Sequence, residues 1–176
     1  MILPFSTQLN GKPTYFVEKI ISGLYESNLL KFNDACDTIK SYVSVEKECR
    51  VFNRLHTPIH KGISKIHSIR ADKNDRWHAG VLIDFFINNR TKDMFRFAPR
   101  VPVLNTQKVL ITYTKTKKAM VFIDDKCFYM QDFSLEGNYK MLHLAQNDGF
   151  ATIEKFFEYF NEDFTGKIIH WTDKKY

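Results

Sequence analysis

The chain has 176 residues, 44% hydrophobic and 26% charged, with only 7 Gly and 5 Pro. That is the size of one domain with a real core and excludes a disordered or low-complexity protein. The net charge of +6 and pI near 9.1 favour a polyanionic partner such as nucleic acid.

Cys36, Cys49 and Cys127 are odd in number and widely spaced. Reduced thiols in the cytoplasm are therefore expected rather than a disulfide scaffold. Met1–Phe5 is too short and uncharged for a signal peptide, and no run approaches membrane-spanning length, so no membrane association is expected. The 16 phenylalanines read as packing residues.

In chain order, residues 2–6 read as a short apolar strand, and Asn10-Gly11 as a turn. Pro13 is placed in a first helical turn. Phe16, Ile20 and Leu24 share one helical face, with Val17 and Ile21 beside it. A second, less regular helical stretch runs from about Leu29 to Leu55. Residues 56–80 are rich in His, Lys, Arg, Asp and Asn and read as a long loop, the kind that is usually functional or disordered.

Strands follow. Val81, Ile83, Phe85 and Ile87 alternate up to Asn88-Asn89, and Val101, Val103, Val109, Ile111 and Tyr113 continue the pattern. Met120–Ile123 pairs back across Lys115–Lys118 as a hairpin, and Asp124-Asp125 turns into Cys127–Tyr129. A helix from Tyr139 to Asn147 stops at Asp148-Gly149. Another starts at Thr152, an N-cap residue, with Phe156, Phe157 and Phe160 on its apolar stripe. A last strand runs from Lys167 to Thr172, followed by an exposed-looking Asp173–Tyr176 tail. The pattern predicts an α+β fold in a single domain over 1–176: a small β-barrel with flanking helices and an N-terminal helical addition over 13–55.

Three segments are similar to the ASCH superfamily, and together they span most of residues 61–172. They are Lys65-Ile66-His67-Ser68-Ile69-Arg70 with Trp77–Ile83, then Leu144–Phe150 with the Phe156–Phe160 helix, and last Gly166–Trp171. The resemblance implies a PUA-like barrel with a cleft beside Lys65–Arg70, of a kind that reads RNA or modified bases. Some members are amidohydrolases that deacetylate acetylated cytidine nucleosides with a Lys, a Thr and a Glu. Alignment puts Lys65 on the Lys, Ser68 on the Thr and Asp148 on the Glu.

The chemistry such a trio needs is a hydroxyl nucleophile, a base to activate it and an acid for the leaving nitrogen. A regular strand would turn residues 65 and 68 to opposite faces, so a shared site requires Lys65 to precede the strand. Gly62 and Ser64 allow that.

RNA or nucleotide binding is the leading expectation. Lys61, Lys65, His67, Arg70, Lys73, Arg76 and Trp77 form a basic segment within residues 61–78, where cations meet phosphate and Trp77 can stack on a base. Trp77 also reads as a core plug before the Val81 strand. Arg70 also reads as an ion-pair partner of Asp72, Asp75 or Asp148. Cys49, His56, His60 and His67 are metal-ligand types, but Pro58 breaks the His56–His60 helical spacing, so no metal and no cofactor are expected. Arg90, Lys92, Arg96 and Arg100 read as a second, solvated basic strip. A third function class, protein–protein interaction or inhibition, rests on the N-terminal helices.

Overall fold

A computed structural model describes residues 1–45 and 64–176. In chain order the strands are β1 (Ile2–Phe5), β2 (Gln8–Leu9), β3 (Lys12–Pro13), β4 (His67–Arg70), β5 (Leu82–Ile87), β6 (Phe95–Arg96), β7 (Val101–Pro102), β8 (Asn105–Tyr113), β9 (Ala119–Ile123), β10 (Lys126–Met130) and β11 (Phe164–His170). The helices are α1 (Phe16–Glu26), α2 (Phe32–Val45), α3 (Leu135–Asn147) and α4 (Ile153–Tyr159). The fold is mixed α+β, and no sheet among the described residues closes into a barrel. No described helix is long and apolar enough to cross a membrane. The chain divides into two compact units, Met1–Lys65 with Leu82–Pro102, and Ile66–Val81 with Val103–Tyr176.

In the first unit β5 pairs with β1 in parallel, Leu3 lying opposite Phe85, and antiparallel with β6 and β7. Alternation buries Leu3, Phe5, Ile83, Phe85 and Ile87, and Phe5 stacks on Phe85 with ring centroids 6.0 Å apart. Helix α1 buries Val17, Ile20, Ile21 and Leu24, the i, i+3, i+4, i+7 stripe of an amphipathic helix. Pro13 is not in its first turn; it pairs with Gln8 in the β2–β3 hairpin. The turn into α1 is held by Thr14 instead, whose hydroxyl donates to the Ser6 carbonyl (2.7 Å) and accepts from the Phe16 N–H (3.3 Å).

Asp84, buried on β5, pairs with Arg100 at 2.5 Å and Arg96 at 3.6 Å. The Arg100 hydrogen bond holds its carboxyl below the usual range against the opposing pull of burial. Part of the second basic strip is thus tied to a buried acid and is not simply a solvated edge.

The second unit is built on an antiparallel sheet of order β10-β9-β8-β11-β4. Asp124 (φ 48°) and Asp125 (φ 64°) turn β9 into β10 in the left-handed conformation that suits a two-residue hairpin. Gly166 leaves room where β11 crosses β4, because a Cβ there would overlap the Arg70 carbonyl oxygen. Helix α3 begins a turn earlier than its apolar spacing suggests, since the Ser134 hydroxyl accepts from the Gly137 N–H at 2.9 Å. Helix α4 is capped by Thr152, accepting from the Lys155 N–H at 3.3 Å, and packs Phe156 and Phe160 against Phe150.

Candidate functional site

The loop from Ala71 to Gly80 carries the candidate interface, and its course is set by one carboxylate. Asp72 accepts from the main-chain N–H of Arg76 and of Trp77, each at 2.9 Å. It also pairs with Lys167 of β11 at 3.4 Å, and its side chain is 1% exposed. Lys167 donates to the Trp77 carbonyl (2.7 Å) and to Asp75. Burial raises the Asp72 pKa, but the two N–H donors and Lys167 outweigh it and hold the carboxyl below its usual range. Asp72 and Asp75 therefore take Lys167 as their ion-pair partner, a pairing that the reading of Arg70 did not include.

From this pinned loop Lys73, Arg76 and His78 project as exposed side chains. Arg70, at the end of β4, is half-buried and lines an open cleft of about 390 Å³ with Tyr159 and Phe164. Three members of the basic segment stand elsewhere than expected. Trp77 is 4% exposed, so its faces are covered and it serves as a core plug, not a stacking platform. Lys65 and His67 are 2% and 0% exposed and present no charge or ring to solvent. Lys61 lies outside the described residues, as do Cys49, His56 and His60. Among the described residues no group of three or more His, Cys, Asp or Glu is placed to hold a metal.

Lys65, Ser68 and Asp148 are all buried, at 2%, 1% and 3% exposure. Lys65 precedes β4, as a shared site would require, and belongs to the first unit. Its main-chain N–H donates to the Lys19 carbonyl (3.0 Å), and its ammonium lies 5.0 Å from the Phe16 ring centroid and 5.8 Å from that of Phe5. Ser68 and Asp148 belong to the second unit. The Ser68 hydroxyl is buried with no hydrogen-bond partner among the described residues. Asp148 accepts from the Ile69 N–H at 3.2 Å while its own N–H closes α3 on the Leu144 carbonyl at 3.0 Å. That carboxylate ties a helix end to a strand.

A second polar cluster had no sequence signal beyond parity along β11. His170 lies opposite His67 on β4 and Asn105 on β8, and directly opposed residues in antiparallel strands share a face. The two imidazoles have centroids 5.5 Å apart. Both ring nitrogens of His170 and the Asn105 side-chain Oδ1 are buried without a hydrogen-bond partner among the described residues.

Over this row sits Tyr176, which is not the exposed tail residue that its neighbours suggest. Its hydroxyl accepts from Asn147 Nδ2 at 2.7 Å and lies 3.3 Å from His67 Nδ1. Its ring meets Phe128 edge-on at 5.7 Å and tilts against His170 at 6.0 Å. The Gln107 amide grips its main chain at both ends, Nε2 donating to the carbonyl (2.8 Å) and Oε1 accepting from the N–H (2.9 Å). Burial pushes the phenol pKa up and pulls that of His170 down to about 4.

Comparison of the chain with family models, with curated proteins and with solved structures finds no match.

Proposed function

We propose that this chain is an ASCH-type domain of the PUA-like fold that binds RNA or a nucleotide through the loop after β4. The observation that carries the reading is the pinned loop itself: Arg70, Lys73 and Arg76 stand on a backbone that Asp72 and Lys167 hold in one course. Fixed cations meet phosphates at a lower ordering cost than cations on a free loop. Buried Trp77 anchors the loop in this reading, and stacking falls to other rings. The sheet of the second unit is taken as the barrel wall on which the loop is mounted.

The test is a salt titration of RNA binding by the parent and by the combined Arg70→Ala, Lys73→Ala, Arg76→Ala variant. Each phosphate contact with a single strand contributes about 0.7 to the slope of log K against log salt, so three contacts account for about 2. A variant with unchanged affinity and slope overturns the interface.

A second reading, amidohydrolysis of an acetylated cytidine nucleoside, is supported by the burial of each of Lys65, Ser68 and Asp148. Buried polar side chains are costly and cluster where chemistry needs them. In this reading Ser68 attacks the amide carbonyl as Lys65 takes its proton, the C–N bond breaks as Asp148 passes a proton to the leaving nitrogen, and water then hydrolyses the acetyl-serine to acetate and returns the serine hydroxyl. The parent then releases acetate from acetylated cytidine, while Lys65→Ala and Ser68→Ala each abolish release. Release by both variants at the parent's rate, or none by the parent, removes this reading and leaves a binding domain.

A further inference from the structure

Tyr176 is held the way a protein holds a planar ligand. Its ring is enclosed by Phe128, His67 and His170, its polar edge is met by Asn147, and the strand residue Gln107 clasps its main chain. The preceding Asp173, Lys174 and Lys175 are exposed and outside any helix or strand, so few contacts besides those of Tyr176 tie this segment down. Few buried contacts and a solvated backbone mark a segment that opens at low cost.

The row beneath the ring carries more hydrogen-bonding capacity than a phenol uses. A neutral imidazole offers one N–H donor and one lone-pair acceptor, and both nitrogens of His170 are buried there without a hydrogen-bond partner among the described residues, as is the Asn105 side-chain Oδ1. Its depressed pKa keeps His170 in that neutral form at pH 7. A phenol ring presents C–H groups along its flanks. A nucleobase of similar width presents donors and acceptors around its ring and fills the same slot with more bonds made.

We propose that the pocket formed by His67, His170, Asn105, Asn147 and Phe128 is a nucleobase site, and that Tyr176 is an internal plug which a single unstacked base displaces. This rests on the nucleotide-binding reading, to which it adds where a base is read and what guards the place. The phosphate-binding loop and the base pocket are then separate parts of one binding surface of the second unit.

The experiment compares the parent chain with Tyr176→Ala and Tyr176→Phe, using ribonucleoside monophosphates and inorganic phosphate as probes in equilibrium dialysis. A plug seated nine-tenths of the time weakens apparent affinity about tenfold. Tyr176→Ala is therefore expected to bind a nucleoside monophosphate about tenfold more tightly than the parent, with no gain for inorganic phosphate. Tyr176→Phe, which keeps the ring but loses the hydroxyl's bonds to Asn147 and His67, gains less than Tyr176→Ala.

A folded Tyr176→Ala chain with no gain overturns the proposal, and so does an equal gain for inorganic phosphate. Should that variant fail to fold, NMR of the parent decides. Nucleoside monophosphate at saturation must shift the His67 and His170 imidazole protons and the Tyr176 ring, and unmoved signals overturn the plug. Salt-dependent RNA binding by the parent with no gain in Tyr176→Ala sinks the plug alone. A parent that binds no RNA at any salt concentration sinks the function proposed above.

Discussion

Burial lowers the pKa of His170 to about 4, with Lys175 adding to the effect and Asp124 opposing it. An unfolded chain takes a proton at this histidine near pH 6.5, whereas the folded chain resists until about pH 4. The stability that follows is therefore fully present above pH 6.5 and is lost as pH falls toward 4, in an amount of roughly 3 kcal/mol for this shift. Urea midpoints should fall steeply between pH 7 and about 4.5 in the parent and less steeply in His170→Gln; parallel curves would show that the imidazole is not the titrating group. Asp72 and Asp84, both held below the usual carboxylate range, lose their contributions only at lower pH. None of this was legible in the sequence. His170 pairs with residues 67 and 105, Asp72 with residue 167, and no local pattern in the chain reports partners so distant. Trp77 illustrates the limit: both of its readings were open until its burial decided between them.

Elements whose signals are local were read closely. Helix α4 carries its own start in Thr152 and its own buried stripe in Phe156 and Phe160, and the expected start and observed cap coincide. Replacing Phe156, which is 0% exposed, by Ala should cost about 3–5 kcal/mol, and Thr152→Ala about 0.5–2 kcal/mol. Both are measured by chemical denaturation. A Phe156→Ala chain as stable as the parent would mean that the stripe does not pack. The β8–β9 and β9–β10 hairpins were equally visible, because alternation and the Asp124-Asp125 turn lie within a few residues of each other. Less visible was β6, of two residues, too short for any period to register, whereas Val101 of β7 stands within the expected alternation. Helix α3 starts a turn before the expected Tyr139, because the Ser134 cap lies outside the apolar spacing on which that expectation rests. Gly166 looked like the opening of a strand and instead lies inside one, where contact with the Arg70 carbonyl excludes a side chain.

At the scale of the whole molecule, a net charge of +6 extends beyond any one loop, so under the proposed function the loop after β4 supplies only part of the attraction for a polyanion. The triple loop variant should therefore keep a residual salt slope, with the change from the parent, not the remainder, measuring the loop's share. The two-unit division carries a further consequence, for how the chain acquires its structure during synthesis. Each unit is assembled from two separated stretches, and β1 pairs in parallel with β5, which begins some eighty residues later at Leu82. As the chain leaves the ribosome, Ile2–Phe5 has no sheet partner until residues 82–87 have emerged, and α1 meanwhile lacks the strand pair that completes its unit. Pairing over such a separation closes a long loop first and slows folding. The nascent chain thus exposes Leu3, Phe5 and the Val17–Leu24 stripe until Leu82–Ile87 emerge, which is the interval in which a holding chaperone would have most to cover.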